Sequence, residues 1–559
     1  MAAAQHPYLR DQLIAYIGSK RALQPFLAGI FGRLFEPGRV FLDPFAGSGA
    51  VSRLARWLGF RVLAGDWEPY AYVLNYAYLC VGRAEAEGFF RKWGGPRALI
   101  EELNALPDPP VKAQYIARHY APARTETADY RTERLFYTRE NALRIDALRG
   151  RIEELYPGFA PEAPRQRQEK YLLLASLLYG AATHVNTSGV FKACHKGFGG
   201  HGRDALGRIL APIGLRPPQL FDGPPAEAGC LAAEEFLRGR TGDLCYLDPP
   251  YNQHQYGSNY HLLNTIALWD KPEVSSERRP DGTLRHKAGI RSDWVKTRSA
   301  FCSRADAPAA LARLLDAVDA RTLVLSYNTE GIIPFEELAA LLEARGELEL
   351  HGSGYVKYRG GRQSIDRQVY NTELLLVVDS RRRRSGAEAQ VRRFLLAHRL
   401  RLQLAGSFRP ERVRQEFEPA GEGIEVRLDG RTLELPMERL HRFSPTALGT
   451  LAGEGECASI PELERLERRL EACACRDRGE ELDVVTGLLG RERDERLRAE
   501  WQRRALWLLR KLAHRKYRPR FEEASALLHA LATRGPRRFA LLAAGLPAVE
   551  RQAAARFAG

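Results

Sequence analysis

One tetrapeptide limits what this chain can be. Asp248-Pro249-Pro250-Tyr251 follows the apolar run Leu244-Cys245-Tyr246-Leu247, which reads as a buried strand. A strand that ends in an acid, two prolines and an aromatic ring leaves a stiff polar corner at the carboxyl edge of a sheet. Open α/β sheets bind their ligands at that edge. The prolines remove two backbone donors and fix φ, so the neighbouring carbonyls are held as acceptors at defined angles. A carboxylate beside a rigid carbonyl can accept both hydrogens of an exocyclic amine. The Tyr251 ring offers a face to a flat partner.

A second motif lies about 200 residues upstream. Val40-Phe41-Leu42 reads as another buried strand, and Asp43-Pro44-Phe45-Ala46-Gly47-Ser48-Gly49 as a glycine-rich turn feeding a helix. Glycine lets the backbone approach a ligand closely. The next strand, Arg61–Gly65, ends at Asp66, about 20 residues beyond the turn, where a ribose diol is commonly held. The turn has the form D-x-F-x-G-x-G, no phosphate-loop lysine follows it, and Asp43 would repel a pyrophosphate. The expected cofactor is therefore one without phosphates and with a cationic amino group, such as S-adenosylmethionine. Nearer the start, Tyr16-Ile17-Gly18-Ser19-Lys20 opens a helical segment, and a Gly-Ser loop with Lys20 in the first turn is suited to an anion.

Around these motifs, strands and helices alternate, which implies an α/β fold with a mostly parallel, Rossmann-like sheet and helices on both faces. Residues 1–80 and 226–380 are expected to form the catalytic domain. Residues 81–225 interrupt it as an inserted, mostly helical region. Residues 381–559 read as a basic, mainly helical accessory domain with one hairpin, Ile424–Leu435, turning on Asp429-Gly430. Within the insertion, the loop 184–203 mixes glycines, aromatics and cations. Asn186, Ser188, Lys192, His195 and Lys196 are its candidate nucleic-acid contacts, together with Asn252, Tyr256, Asn259 and Tyr260 after the corner.

The net charge of +15 favours a polyanionic partner, and 37 Lys and Arg against 26 Asp and Glu in residues 381–559 carry most of that excess. The eight cysteines and the histidines lack ligand spacing, so no metal is expected. No apolar run of about 18 residues and no leader pattern is found, which predicts a cytoplasmic protein with no membrane partner.

With both motifs in hand, the chain resembles the Dam-like (alpha-group) S-adenosylmethionine-dependent, adenine-specific DNA methyltransferases. Four segments match in that family's order: Tyr16–Lys20, Phe41–Gly49, Asp66 and Asp248–Tyr251. The likeness spans roughly residues 10–380. It implies methyl transfer from S-adenosylmethionine to N6 of adenine in double-stranded DNA, by base flipping and direct in-line attack, with residues 81–225 as target-recognition region. Asp248 and the Pro249 carbonyl would hold the amine, with Pro250 and Tyr251 shaping the base site. Tyr16, Gly18, Lys20, Asp43, Phe45, Gly47, Gly49, Asp66 and Asp248 would surround the cofactor, Asp66 on its ribose and Lys20 near its carboxylate. The resemblance leaves room for a cognate restriction endonuclease as partner. Such a corner also serves RNA and cytosine amino-methyltransferases, so an RNA adenine methyltransferase is the alternative, and a catalytically silent nucleic-acid-binding protein is another.

Overall fold

The computed structural model describes residues 6–200, 205–328, 331–356, 370–382, 387–444, 446–447 and 458–558. They form two compact units. One runs to Tyr355 and resumes over Thr372–Ala387, and the other is made of Val356–Asn371 and Glu388 onward.

The first unit is built on a seven-stranded sheet. Its strands are β1 (Val40–Asp43), β2 (Arg61–Gly65), β3 (Ala226–Gly229), β4 (Thr241–Leu247), β5 (Asp319–Asn328), β6 (Glu347–Val356) and β7 (Tyr370–Asp379). They lie in the order β3-β2-β1-β4-β5-β7-β6. β1 pairs in parallel with both β2 and β4, and β4 with β5, whereas β7 runs antiparallel to β5. The apolar run Leu244–Leu247 is fully buried, as expected of a parallel strand covered on both faces. Successive strands leave β1 in opposite directions, toward β2 on one side and β4 on the other. That reversal opens a crevice at the carboxyl ends of β1 and β4.

Three helices frame the crevice and tie the insertion to it: α1 (Ala50–Leu58) after the glycine turn, α2 (Pro69–Leu79) after β2, and α3 (Arg139–Leu155) in the insertion. α2 is apolar almost all round, with Tyr70, Val73, Leu74, Ala77, Tyr78 and Leu79 buried. A helix of that kind needs cover on every side. The insertion supplies it through a further helix, α4 (Pro164–Thr183). Leu99, Phe136, Ile145 and Leu173 of the insertion belong to one hydrophobic core with Phe41 and Leu244 of the sheet. On the other side, Arg149 of α3 is wholly buried, and its Nε donates to the Ile266 carbonyl at 2.7 Å in the helix α5 (His261–Leu268).

The second unit contains the expected hairpin, Gly423–Leu428 against Arg431–Leu435, with Asp429 and Gly430 at φ +47° and +80° in the two-residue turn. Helices make up most of the rest. Many of its arginines are matched to acids of the same unit: Arg399 to Glu467, Arg439 to Glu492, Arg504 to Glu481 and Arg520 to Asp483. Fewer of its arginines are free to meet a phosphate than their number suggests, although the net excess of the segment is unchanged by this pairing. Among the described residues, no helix is long and apolar enough to cross a membrane.

Candidate active site

A cavity of about 480 Å³ opens at the crevice, a size suited to a small organic ligand. Tyr16, Gly18, Phe45, Asp66, Asp248, Pro249, Pro250, Tyr251 and Tyr256 all line it. Glu68, two residues beyond Asp66, also lines it, as do Trp67, Arg238, Arg298, Phe301 and Arg313, which carry no recognisable sequence signal of that role.

The glycine turn is held by its own backbone. Gly47, at φ +50°, donates its N–H to Asp66 Oδ2 at 2.9 Å, and its carbonyl accepts from Asn75 Nδ2 at 3.1 Å. Asp66 Oδ1 accepts from the Glu68 amide at 2.9 Å. A side chain at Gly47 would meet the Tyr16 ring at 3.0 Å, and one at Gly49, φ +80°, would meet Asn75 Oδ1 at 2.8 Å. Tyr16 stacks on Tyr260 with centroids 5.0 Å apart. Ile17 is gripped on both sides, donating to Tyr260 Oη at 2.8 Å and accepting from Tyr256 Oη at 3.2 Å. The loop bearing Gly18 is thereby fastened to the segment that follows the corner.

At the corner itself, Asp248 Oδ1 lies 2.9 Å from the Lys20 ammonium, which also contacts Glu373 Oε1 at 3.0 Å and the Gly18 carbonyl at 3.2 Å. An ammonium has three N–H donors, and these three acceptors use them all. Lys20 is 4 % exposed. Its partners in this structure are the protein's own acids and the Gly18 carbonyl. Burial presses the ammonium toward neutrality, but Asp248 and Glu373 together hold its pKa well above the usual lysine range. Tyr251 packs edge-on against Tyr327, centroids 5.7 Å apart, with the Lys20 ammonium 5.3 Å from its ring.

The cleft is rich in acid. Burial, the leading cause in each case, pushes Asp43 up to about 7, Asp66 to about 6, Glu68 to about 7 and Asp248 to about 6. Asp43 Oδ2 accepts from Ser52 Oγ at 2.5 Å, while its Oδ1 and Glu68 Oε1 are buried without a partner. Unpartnered carboxylate oxygens of this kind are costly unless a ligand supplies a donor or a positive charge. A cationic ligand bearing hydroxyl groups fits these acceptors, and Arg298 and Arg313 on the same wall are suited to a carboxylate or another anionic group.

Comparison with known proteins agrees with the geometry. The family described as D12 class N6 adenine-specific DNA methyltransferase matches residues 16–295, from the Tyr16 loop through both motifs and the insertion. The chain belongs to that family. Among curated relatives, the Type II methyltransferase M.NlaIII of Neisseria lactamica is 32 % identical over 62 % of this chain and 93 % of its own length. The Type II methyltransferase M.CviAII of Paramecium bursaria Chlorella virus 1 is 27 % identical over 64 % and 96 %. The Modification methylase LlaI of Lactococcus lactis subsp. lactis is 28 % identical over 63 % of this chain but only 52 % of its own length.

In this adenine methyltransferase the residues expected to meet DNA divide into two groups. Ser188, Lys192 and Lys196 are exposed, and His195, Asn252 and Tyr256 are half-buried. Asn186, Asn259 and Tyr260 are buried, which corrects their expected role. The Asn186 amide donates to the Leu135 carbonyl at 2.9 Å, and Asn259 accepts the Phe191 amide at 2.7 Å through its own carbonyl. The Asn186 side chain thus serves the loop's own backbone, whereas the Asn259 bond runs through its backbone carbonyl and its buried side-chain Nδ2 has no partner. Positions 201–203 of that loop lie outside the described residues. One basic patch has no compact sequence signal: Arg131, Lys196 and Lys287 converge on the Tyr130 ring at 5.9, 5.4 and 5.4 Å.

Proposed function

We propose that this D12-class enzyme is Dam-like in mechanism and draws its methyl group from S-adenosylmethionine. The observation that carries the reading is the Asp248 corner, opening on a cavity beside the glycine turn that is lined by Asp66, Glu68 and Asp248. Tyr16, Gly18, Phe45 and Asp66, backed by Asp43, Gly47 and Gly49, would hold the cofactor, with Asp66 and Glu68 directed to its hydroxyl groups. When bound, S-adenosylmethionine supplies an electrophilic methyl group on a positively charged sulfur.

The chain's own residues do the rest. Adenine's amino lone pair is delocalised into its ring and is a poor nucleophile. Asp248 and the Pro249 carbonyl accept the two amino hydrogens, which favours a pyramidal nitrogen with its lone pair toward the methyl group. Tyr251 gives the base a surface once it has left the duplex. Transfer then rests on positioning and electrostatics, without a covalent enzyme intermediate. Residues 81–225 read the target in double-stranded DNA, and residues 381–559 add contacts to the phosphate backbone. A cognate restriction endonuclease is the partner suggested by relatives named modification methylases.

Labelled S-adenosylmethionine offered with duplex DNA, single-stranded DNA or RNA tests the reading. Label recovered as N6-methyladenine in duplex DNA supports it, and label confined to RNA would overturn it. The acceptor role also sets a pH dependence. Asp248 must be ionised, and burial raises its carboxyl to about 6. Turnover should hold above about pH 7 and fall about tenfold per pH unit well below 6. A flat profile down to about pH 5 would remove Asp248 from that role. For DNA contact, exchanging Lys196 and Lys287 together for glutamine should lower the slope of log affinity against log salt by about 2. Cofactor affinity should be untouched, and an unaltered slope would exclude the Tyr130 patch from the interface.

A further inference from the structure

We propose that Glu373 is a positioning residue for methyl transfer, sharing the Lys20 ammonium with Asp248 so that Asp248 keeps the acceptor strength the amine requires. The inference rests on the reading of Asp248 as the amine's acceptor. Glu373 is the third member of the Lys20–Asp248 network and comes from β7, the antiparallel strand, more than 120 residues after the corner. It stands just before the apolar run Leu374–Val378, a buried acid at the head of a hydrophobic strand. Such an acid is costly unless it has a task or a partner.

Its partners are unusually specific. Oε1 lies 3.0 Å from Lys20 Nζ and accepts from Ser326 Oγ of β5 at 2.7 Å. Oε2 is buried without a partner. Lys20 meets Asp248 at 2.9 Å, so one cation lies between two carboxylates at nearly equal distance. A cation divided in this way orients Asp248 without neutralising it. Were Lys20 matched to Asp248 alone, the full ion pair would withdraw electron density from the carboxylate that must accept the amine hydrogens. The groups facing Asp248 are Lys20 from the Gly18 loop, Glu373 from β7, Asp43 from β1, and Tyr246 and Tyr256 from either side of the corner. Of these, Glu373 raises the Asp248 carboxyl and Lys20 lowers it.

The test uses Glu373→Gln in the full-length protein, which keeps the shape and removes the charge. Expected is a plateau turnover about tenfold or more below the wild type, with equilibrium affinity for S-adenosylmethionine retained within about twofold. The acid limb of the turnover profile should also move to lower pH by about one unit, because Asp248 loses a like-charged neighbour and gains an undivided cation. A purely structural role would lower thermal stability and cofactor affinity together and leave the limb in place, and that result would overturn the proposal. So would wild-type turnover and an unmoved limb. Glu373→Met, which likewise removes the charge and suits the apolar run that follows it, gives the same limb shift and serves if the glutamine variant fails to fold. An unmoved limb in that variant counts equally against the proposal. Asp248→Asn is assayed in parallel. If it retains turnover, the reading of Asp248 has failed. If it is inactive while Glu373→Gln behaves as wild type, only the role of Glu373 has failed.

Discussion

Replacing Asp248 by alanine is expected to cut methyl transfer by about a thousandfold or more while the protein still folds and binds its cofactor. The reason lies in the cation beneath it. Deleting one partner of a buried ion pair is usually ruinous, because the other charge is left uncompensated. Here Lys20 keeps Glu373 at 3.0 Å and the Gly18 carbonyl at 3.2 Å, so no orphan charge is created. The cavity gains a small void but keeps its glycine turn and Asp66. Single-turnover assays with labelled S-adenosylmethionine measure the loss, and equilibrium binding with thermal melting establishes that the variant is folded. Turnover within tenfold of the wild type would remove Asp248 from the chemistry.

The opposite signature is expected at Gly47. An alanine there must adopt φ near +50°, which costs about 1–2 kcal/mol for a residue with a Cβ. Its methyl group would also meet the Tyr16 ring at 3.0 Å, and that ring cannot retreat because Tyr260 is stacked on it. The turn would shift instead, drawing the Gly47 N–H away from Asp66. We expect Gly47→Ala to weaken cofactor affinity by roughly 10- to 100-fold, the equivalent of about 1.4–2.8 kcal/mol, with turnover at saturating cofactor within a few-fold of normal. Trp67 lines the cavity, so quenching of its fluorescence on titration reports the affinity directly. Unchanged cofactor affinity in that variant would mean that the turn is not the cofactor's seat.

On the proposed reading the two variants divide the site as the sequence itself does, into a turn that would hold and a corner that would react. Both are legible in the sequence because each is contiguous. A short peptide carries the strand, the bend and the chemical groups together. β1, β4 and β5 can be read from their unbroken apolar runs, whereas β3, Ala226–Gly229, is a short edge strand of small, half-exposed residues that offers no such pattern. Glu373 is hidden in the sequence because its meaning depends on Lys20, more than 350 positions away. An acid heading an otherwise apolar strand is the available clue. Asn186 misleads for a related reason. An asparagine in a glycine-rich loop looks the same in sequence whether its amide faces solvent or closes the loop's own backbone. Only burial separates the two.

On the proposal that residues 81–225 read the target, their fastening has a consequence for how a new target sequence could be acquired. Arg149 is held by the Ile266 carbonyl, Phe191 by the Asn259 carbonyl, and Tyr120 donates to the Gly289 carbonyl at 2.8 Å. The proposed target-reading module is thus discontinuous. A transplant of residues 81–225 alone would arrive with its anchoring donors facing a foreign surface. A graft that also carries residues 255–290 would bring its own sockets. New specificities in this lineage are then expected to arise by paired change on both sides of the corner, with the tetrapeptide between them left as the hinge point of the splice.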